Sequence, residues 1–306
     1  MTSQRSTGKA AKSIPPHQLD GCPRRLIAVG IRDQVRDRHA LAWAVSDAVA
    51  ERDTLHVVHA YVPLKLDGCS WAPVTVAREM RQSTAQRKVA QAVQFVADTD
   101  ARIDVSGSAV AGRPRDVLDE LSTVVDLLVI GEDLASQLTG VGGVQDTASC
   151  PLVCVPNDEV PSSPGLPVTV LGDDFGLSEA ALQFGFSAAS RRGTTVQVAR
   201  SWASLHESQP PTTDWLAHQQ EELDIQLADW QLRFPEVGVV ARVGLEHELL
   251  DELRCSSQLL VVGRPATVGG PATLGRPATA ARRSPTRFSG PGCPTVVVPE
   301  AVRAGE

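Results

Sequence analysis

The sequence predicts an α/β protein built as two tandem Rossmann-like domains, each a five-stranded parallel sheet wrapped by helices. Three observations carry that prediction. Short apolar, β-branched runs alternate with longer stretches of helical periodicity, the pattern of a parallel sheet with right-handed crossovers. That pattern is passed through twice in 306 residues. The two passes also echo each other: GRPRDVLDEL from Gly112 is answered by GLEHELLDEL from Gly244, and DLLVIG from Asp126 by QLLVVG from Gln258, both 132 residues on. Ala40-Leu41 matches Ala181-Leu182 at an offset of 141, and Cys150-Pro151 matches Cys293-Pro294 at 143. Preserved order with a drifting offset marks a duplication followed by loop insertions and deletions.

Each element has its own signal. Leu26 to Gly30 is an apolar run closed by glycine, as in a buried parallel strand. Ala40, Leu41, Ala44, Val45, Ala48 and Val49 then fall on one helical stripe. Strands follow at 54–62, 103–110, 127–131 and 152–155, with a long helical pattern over 76–98. A short helix around Val117, Leu118 and Leu121 starts after Pro114, which suits a first-turn position. The loop after the fourth strand leaves room for a helix. In the second pass the strands are expected at 168–172, 194–199, 237–243, 259–262 and 295–298. Ala181, Leu182, Gly185, Phe186 and Ala189 repeat the first helical stripe, and Leu216, Leu223, Leu227, Trp230 and Phe234 mark a long second helix. Residues 1–23 read as a disordered polar arm, 24–157 as the first domain and 158–166 as a linker. Pro161, Pro164, Gly165 and Pro167 signal that linker. The second domain spans 167–300, with a tail over 301–306.

Composition narrows the function classes. With 42% hydrophobic and 21% charged residues the chain has the make-up of a soluble globular protein. No apolar run approaches the roughly 18 residues of a membrane span. The N-terminus has no apolar signal core, so a cytoplasmic location is expected. A net charge of −7 argues against a general nucleic-acid binder. The six cysteines are scattered with no CxxC pair, which reads as reduced, mostly buried thiols. His247-Glu-Leu-Leu-Asp251 begins like a zinc-protease helix but lacks the second histidine, so no metal is expected. The five tryptophans, Trp202, Trp215 and Trp230 among them, read as core or interface residues rather than base-stacking platforms. No nucleophile–base arrangement is convincing, and no catalytic residue is assigned.

In open parallel sheets the ligand crevice lies beyond the carboxyl ends of the strands, where the winding reverses. The end of the first strand and the loop after the fourth are therefore the candidate positions in each domain. Several motifs there and nearby occur in order: Ala-Leu-Ala-Trp-Ala from Ala40, Val57-Val-His-Ala60, Gly112-x-Pro114, Asp126-Leu-Leu-Val-Ile-Gly131, and Cys-Pro before a valine-rich last strand. Taken together the chain resembles a tandem universal stress protein of the actinobacterial kind, over roughly residues 24 to 300. The resemblance implies a sheet order 3-2-1-4-5 and an adenine-nucleotide-binding-type domain. It further implies ATP held by an aspartate ending the first strand and by a G-x2-G-x9-G-[S/T] loop after the fourth.

Both halves depart from that loop. In the first, Arg32 stands at the aspartate position and Leu134 where the second glycine belongs; the loop is six residues short and carries Glu132 and Asp133, which repel phosphate. The first site is read as lost. The second half keeps Asp173 and Gly263, but its loop is a hexad repeat, GRPATV-GGPATL-GRPATA. Pro265, Pro271 and Pro277 each remove an amide donor. Arg264, Arg276, Arg282, Arg283 and Arg287 supply positive charge with no acid between Gly263 and Gly292. That segment is either a flexible insert or an anion-driven ATP or ADP site formed by Asp173, Gly263, Arg264, Gly269, Gly270, Gly275 and Arg276. The expected function is that of a non-catalytic stress-response protein with degenerate nucleotide sites, regulatory through contacts with a protein partner. Its rival is an ATP- or ADP-binding protein, with weak ATPase activity as a further possibility. Self-association or internal domain pairing through the last strands, 152–155 and 295–298, is also expected, because unpaired apolar edges invite pairing.

Overall fold

The structure, a computed structural model, describes residues 24–63, 72–138, 143–157, 165–172, 176–202, 212–245, 252–264 and 292–300. The chain divides into two compact units, Met1–Glu159 and Val160–Glu306. The expected arm and tail, and most of the expected linker, lie outside the described residues.

The first unit runs β1 (Leu26–Gly30), α1 (Arg38–Glu51), β2 (Thr54–Tyr61), α2 (Ala72–Thr99), β3 (Asp104–Ala111), α3 (Pro114–Leu121), β4 (Leu127–Gly131), α4 (Glu132–Gln137), α5 (Val144–Thr147) and β5 (Leu152–Val155). Its strands lie in the order β3-β2-β1-β4-β5, every pair parallel. β1, β4 and β5 are buried at every position, which is why they read as unbroken apolar runs rather than alternating ones. The α1 stripe Ala40, Leu41, Ala44, Val45 and Ala48 is buried as its spacing requires. The short loop after β4 contains two brief helices, α4 and α5.

The second unit runs β6 (Val168–Gly172), α6 (Glu179–Arg192), β7 (Val196–Trp202), α7 (Thr213–Arg233), β8 (Val239–Leu245), β9 (Leu259–Gly263) and β10 (Thr295–Val298). Residues 252–256 are helical. The order β8-β7-β6-β9-β10, again all parallel, repeats that of the first unit. Even the register repeats, with Ile27 beside Leu127 in one unit and Val168 beside Leu259 in the other. β7 and β8 each begin two residues later than the sequence pattern suggests. Gly193 takes the left-handed cap of α6 (φ 59°), and the Thr194 amide donates to Ala189 O, holding Thr194 in the capping turn. Val237 is likewise tied into a turn by donating to Phe234 O.

The second core centres on Phe186, fully buried and stacked on Trp230 at a ring-centroid distance of 5.5 Å, with Phe234 at 5.4 Å. Gly185 lets α6 lie close to β6, since a Cβ there would collide with Val170 Cγ2. Gly185→Ala should therefore destabilise the protein by up to about 2 kcal/mol. Alanine's helix advantage of about 1 kcal/mol is set against an overpacking cost of about 1–3 kcal/mol, and the close approach to Val170 Cγ2 puts that cost toward its upper end. Urea unfolding of the full-length protein measures this; an unchanged midpoint would mean that α6 moves freely off the sheet.

Candidate functional site

In the first unit the carboxyl ends of β1 and β4 lie side by side, and the crevice beyond them is occupied by the chain's own side chains. Asp37, just before α1, does not cap that helix with its side chain. It turns back and accepts from the amides of Arg32 (2.7 Å) and Asp33 (3.2 Å) through Oδ2. Its Oδ1 faces Gly131 at the end of β4, where an added Cβ would come within 2.8 Å of it. Arg32 Nε stands 3.9 Å from the same oxygen, and Arg32 Nη2 donates to Asp133 Oδ2 at 2.5 Å. Asn157 donates to the other Asp133 oxygen at 2.7 Å. Burial pushes the Asp37 carboxyl up, while the two amides and Arg32 pull it back. The Arg32 bond, then Asn157, holds Asp133 below the usual carboxylate range.

Further along the crevice, Lys88 of α2 donates to Arg32 O at 2.8 Å. His59 Nδ1 lies 2.9 Å from Ile31 O. A carbonyl only accepts, so Nδ1 carries the proton and Nε2 is left as an acceptor. Burial, chiefly, and Lys88 lower the His59 pKa against the opposing bond to Ile31, so the ring is neutral at pH 7. Beside it opens a cavity of about 330 Å³ bounded by Tyr61, Met80, Arg81 and Lys88.

The second unit builds the same corner differently. The register places Ser178 where the first unit has Asp37. Gly263, at the end of β9, packs on Ser178, and an added Cβ would collide with the serine side chain. The Ser178 hydroxyl caps α6 by accepting from the Ala181 amide at 3.3 Å, so among the described residues no carboxylate turns into this crevice from the helix start. Arg200 stands at the His59 position, 3.6 Å from Glu222. Of the residues expected to hold nucleotide, Gly263 and Arg264 are described. The Arg264 amide donates to Val298 O at 2.8 Å, extending the β9–β10 ladder. Asp173, Gly269, Gly270, Gly275 and Arg276 lie outside the described residues, as does His247.

The other sequence signals resolve as packing. Cys150 and Cys154 are buried, and burial raises both thiols, Cys150 to about 12. His56 is buried in the sheet with both ring nitrogens engaged, by Ser106 at 2.7 Å and Ser108 at 2.9 Å. Trp230 is core, while Trp215 is half-buried. Among the described residues there is no cluster of three metal-ligating side chains, and no helix is long and apolar enough to cross a membrane. Sequence reasoning missed Asp37, Lys88 and Asn157. One signal was available for Asp37: the repeats align an aspartate against Ser178, a charge difference at the start of the same helix.

No family model matches the chain. A universal stress protein of Mycobacterium tuberculosis is 28% identical over 256 residues, covering 78% of this chain and 86% of that protein. A second from the same species is 27% identical over 256 residues, covering 78% and 85%. Among solved structures, a universal stress protein from Archaeoglobus fulgidus superposes with a TM-score of 0.52 at 15% identity, covering 90% of this chain and 96% of that one. Relatives, fold and motifs agree: the chain is similar over most of its length to the universal stress proteins of mycobacteria and shares the fold of a solved universal stress protein.

Proposed function

We propose that this protein is a non-catalytic regulator whose first unit is closed to nucleotide and which acts through contacts with a protein partner. One observation carries the reading: the amides of Arg32 and Asp33, at the turn where a bound anion would be received, already donate to the internal carboxylate of Asp37. A phosphate entering there would have to displace Asp37 and approach Asp133 as well, a like-charge encounter in a partly dehydrated corner. The cations are committed too, Arg32 to Asp133 and Lys88 to a main-chain carbonyl. Burial keeps Cys150 and Cys154 protonated, so neither is a ready nucleophile.

A second reading concerns the second unit alone. There Ser178 replaces the blocking carboxylate, and the segment after Gly263 supplies arginine without acid. ATP or ADP bound at that end, by side-chain guanidinium groups in place of a proline-depleted amide cradle, is the alternative function. Equilibrium dialysis of ATP against the full-length protein, with mass spectrometry of heat-released ligand, tests both. No stoichiometric nucleotide is the expected result; one per chain selects the second reading, and two per chain would overturn the closure of the first unit.

A further inference from the structure

We propose that Cys255 and Cys293 form a thiol modification site in the second unit, oxidised by a hydroperoxide to an intradomain disulfide. Cys255 is exposed in the helical segment 252–256, whereas Cys293 is buried just before β10. The two are brought together by the backbone: the Cys293 amide donates to the carbonyl of Arg254, the residue before Cys255, at 3.1 Å. Gly292 lies flat on Arg254, where a Cβ would approach the arginine Cβ to 2.9 Å. Standard peptide dimensions then hold the Cα atoms of Cys255 and Cys293 at about 7 Å or less, at the edge of the roughly 4.4–6.8 Å that disulfides span. The first unit supplies an internal contrast: Thr123 occupies the Cys255 position opposite Cys150.

The order of events follows from accessibility. Burial, above all, pushes the Cys293 thiol up to about 12, and the neighbouring Cys255 adds to the rise. Exposed Cys255 therefore meets the oxidant first. Its thiolate attacks one peroxide oxygen, the O–O bond breaks, and a sulfenic acid forms with release of water or an alcohol. The Cys293 sulfur then attacks the Cys255 sulfur, the S–S bond forms, and the departing hydroxyl leaves as water with the Cys293 proton. Two thiols lose two electrons and the peroxide gains them. The new ring encloses β9 and the whole arginine-rich segment, so oxidation covalently joins the two ends of the stretch that distinguishes this unit.

The reduced full-length protein, treated with equimolar hydrogen peroxide, alkylated and digested with trypsin, tests the assignment. A linked pair of peptides containing Cys255 and Cys293 is expected, with the six thiols falling by two and recovering on reduction. Cys150 should stay reduced. Cys255→Ser should abolish the link and leave Cys293 reduced, whereas Cys293→Ser should accumulate a dimedone-reactive sulfenic acid at Cys255. Cys255 oxidised without a link in the parent protein, linked instead to another cysteine or another chain, or unreactive, would each overturn the site.

Discussion

Replacing Arg25 with methionine should cost the protein about 3 kcal/mol at pH 7, the low end of the range for breaking a buried ion pair from one side. Arg25 precedes β1 and bridges two carboxylates, Asp53 at 2.5 Å and Asp47 at 3.2 Å. Both carboxylates are almost wholly buried (2% and 5% exposed) and Arg25 only 25% exposed, so the pairing is shielded from water. The Asp53 carboxylate also accepts from the Arg25 amide at 2.9 Å. Methionine keeps the aliphatic stem and removes the charge, leaving two buried anions facing each other. Burial already raises the Asp53 pKa, against the pull of Arg25. A carboxyl raised on folding favours the fold at low pH, and that contribution is lost as pH rises through its folded pKa. Without Arg25 the folded pKa of Asp53 climbs further, so the penalty of the variant is full at neutral pH and shrinks as acidification neutralises Asp53. Urea unfolding at pH 7 and at pH 4 measures this. A deficit that is equal at both pH values would mean that Arg25 acts through packing alone. The second unit needs no such bridge: Thr194 stands at the Asp53 position and its hydroxyl donates to Leu166 O at 2.9 Å.

The fold was legible in the sequence because its signals are long and redundant. β1 and β4 are buried on both faces and therefore uninterrupted in hydrophobicity, and each helical stripe recurs in the other repeat. Strand starts were less legible, because capping turns such as that at Gly193 are decided by one left-handed residue and a main-chain bond. For the candidate site, the sequence alone marks how the first crevice differs from the second, by Arg32 at the aspartate position and the acidic pair Glu132-Asp133. That Asp37 would fold back on the Arg32 and Asp33 amides was not readable, since an aspartate at a helix start ordinarily caps that helix. The link from Asp133 to Asn157 was equally hidden, because it joins residues 24 apart across the ends of two strands.

Any ATP the full-length chain takes up should be released by changing Arg264 and Arg276 together to alanine, with affinity falling about 100-fold or more. Two hydrogen bonds to charged groups, at about 1.5–3 kcal/mol each, remove about 3–6 kcal/mol, or roughly 10²- to 10⁴-fold. The segment following β9 carries these arginines among prolines that have removed amide donors, so guanidinium groups must do what backbone amides do elsewhere. Such contacts are screened, and affinity should fall as salt is raised several-fold. Arg32→Ala, a loss of the same charge in the first unit, should have the opposite profile. Nucleotide affinity should not change, because the Arg32 guanidinium is already spent on Asp133 and on the Asp37 carboxylate. Stability should drop by about 1–3 kcal/mol, less than the roughly 3–5 kcal/mol of a closely paired buried ion pair, because the guanidinium faces the wholly buried Asp37 carboxylate (0% exposed) from 3.9 Å without a hydrogen bond. That drop should ease as pH falls, because burial has already raised the Asp37 pKa and protonation removes the uncompensated charge. Calorimetric titration and urea unfolding on the two variants read both quantities. ATP affinity indifferent to the double substitution and to salt would show that the arginine segment takes no part in binding, and a nucleotide lost on Arg32→Ala would place the site in the wrong unit.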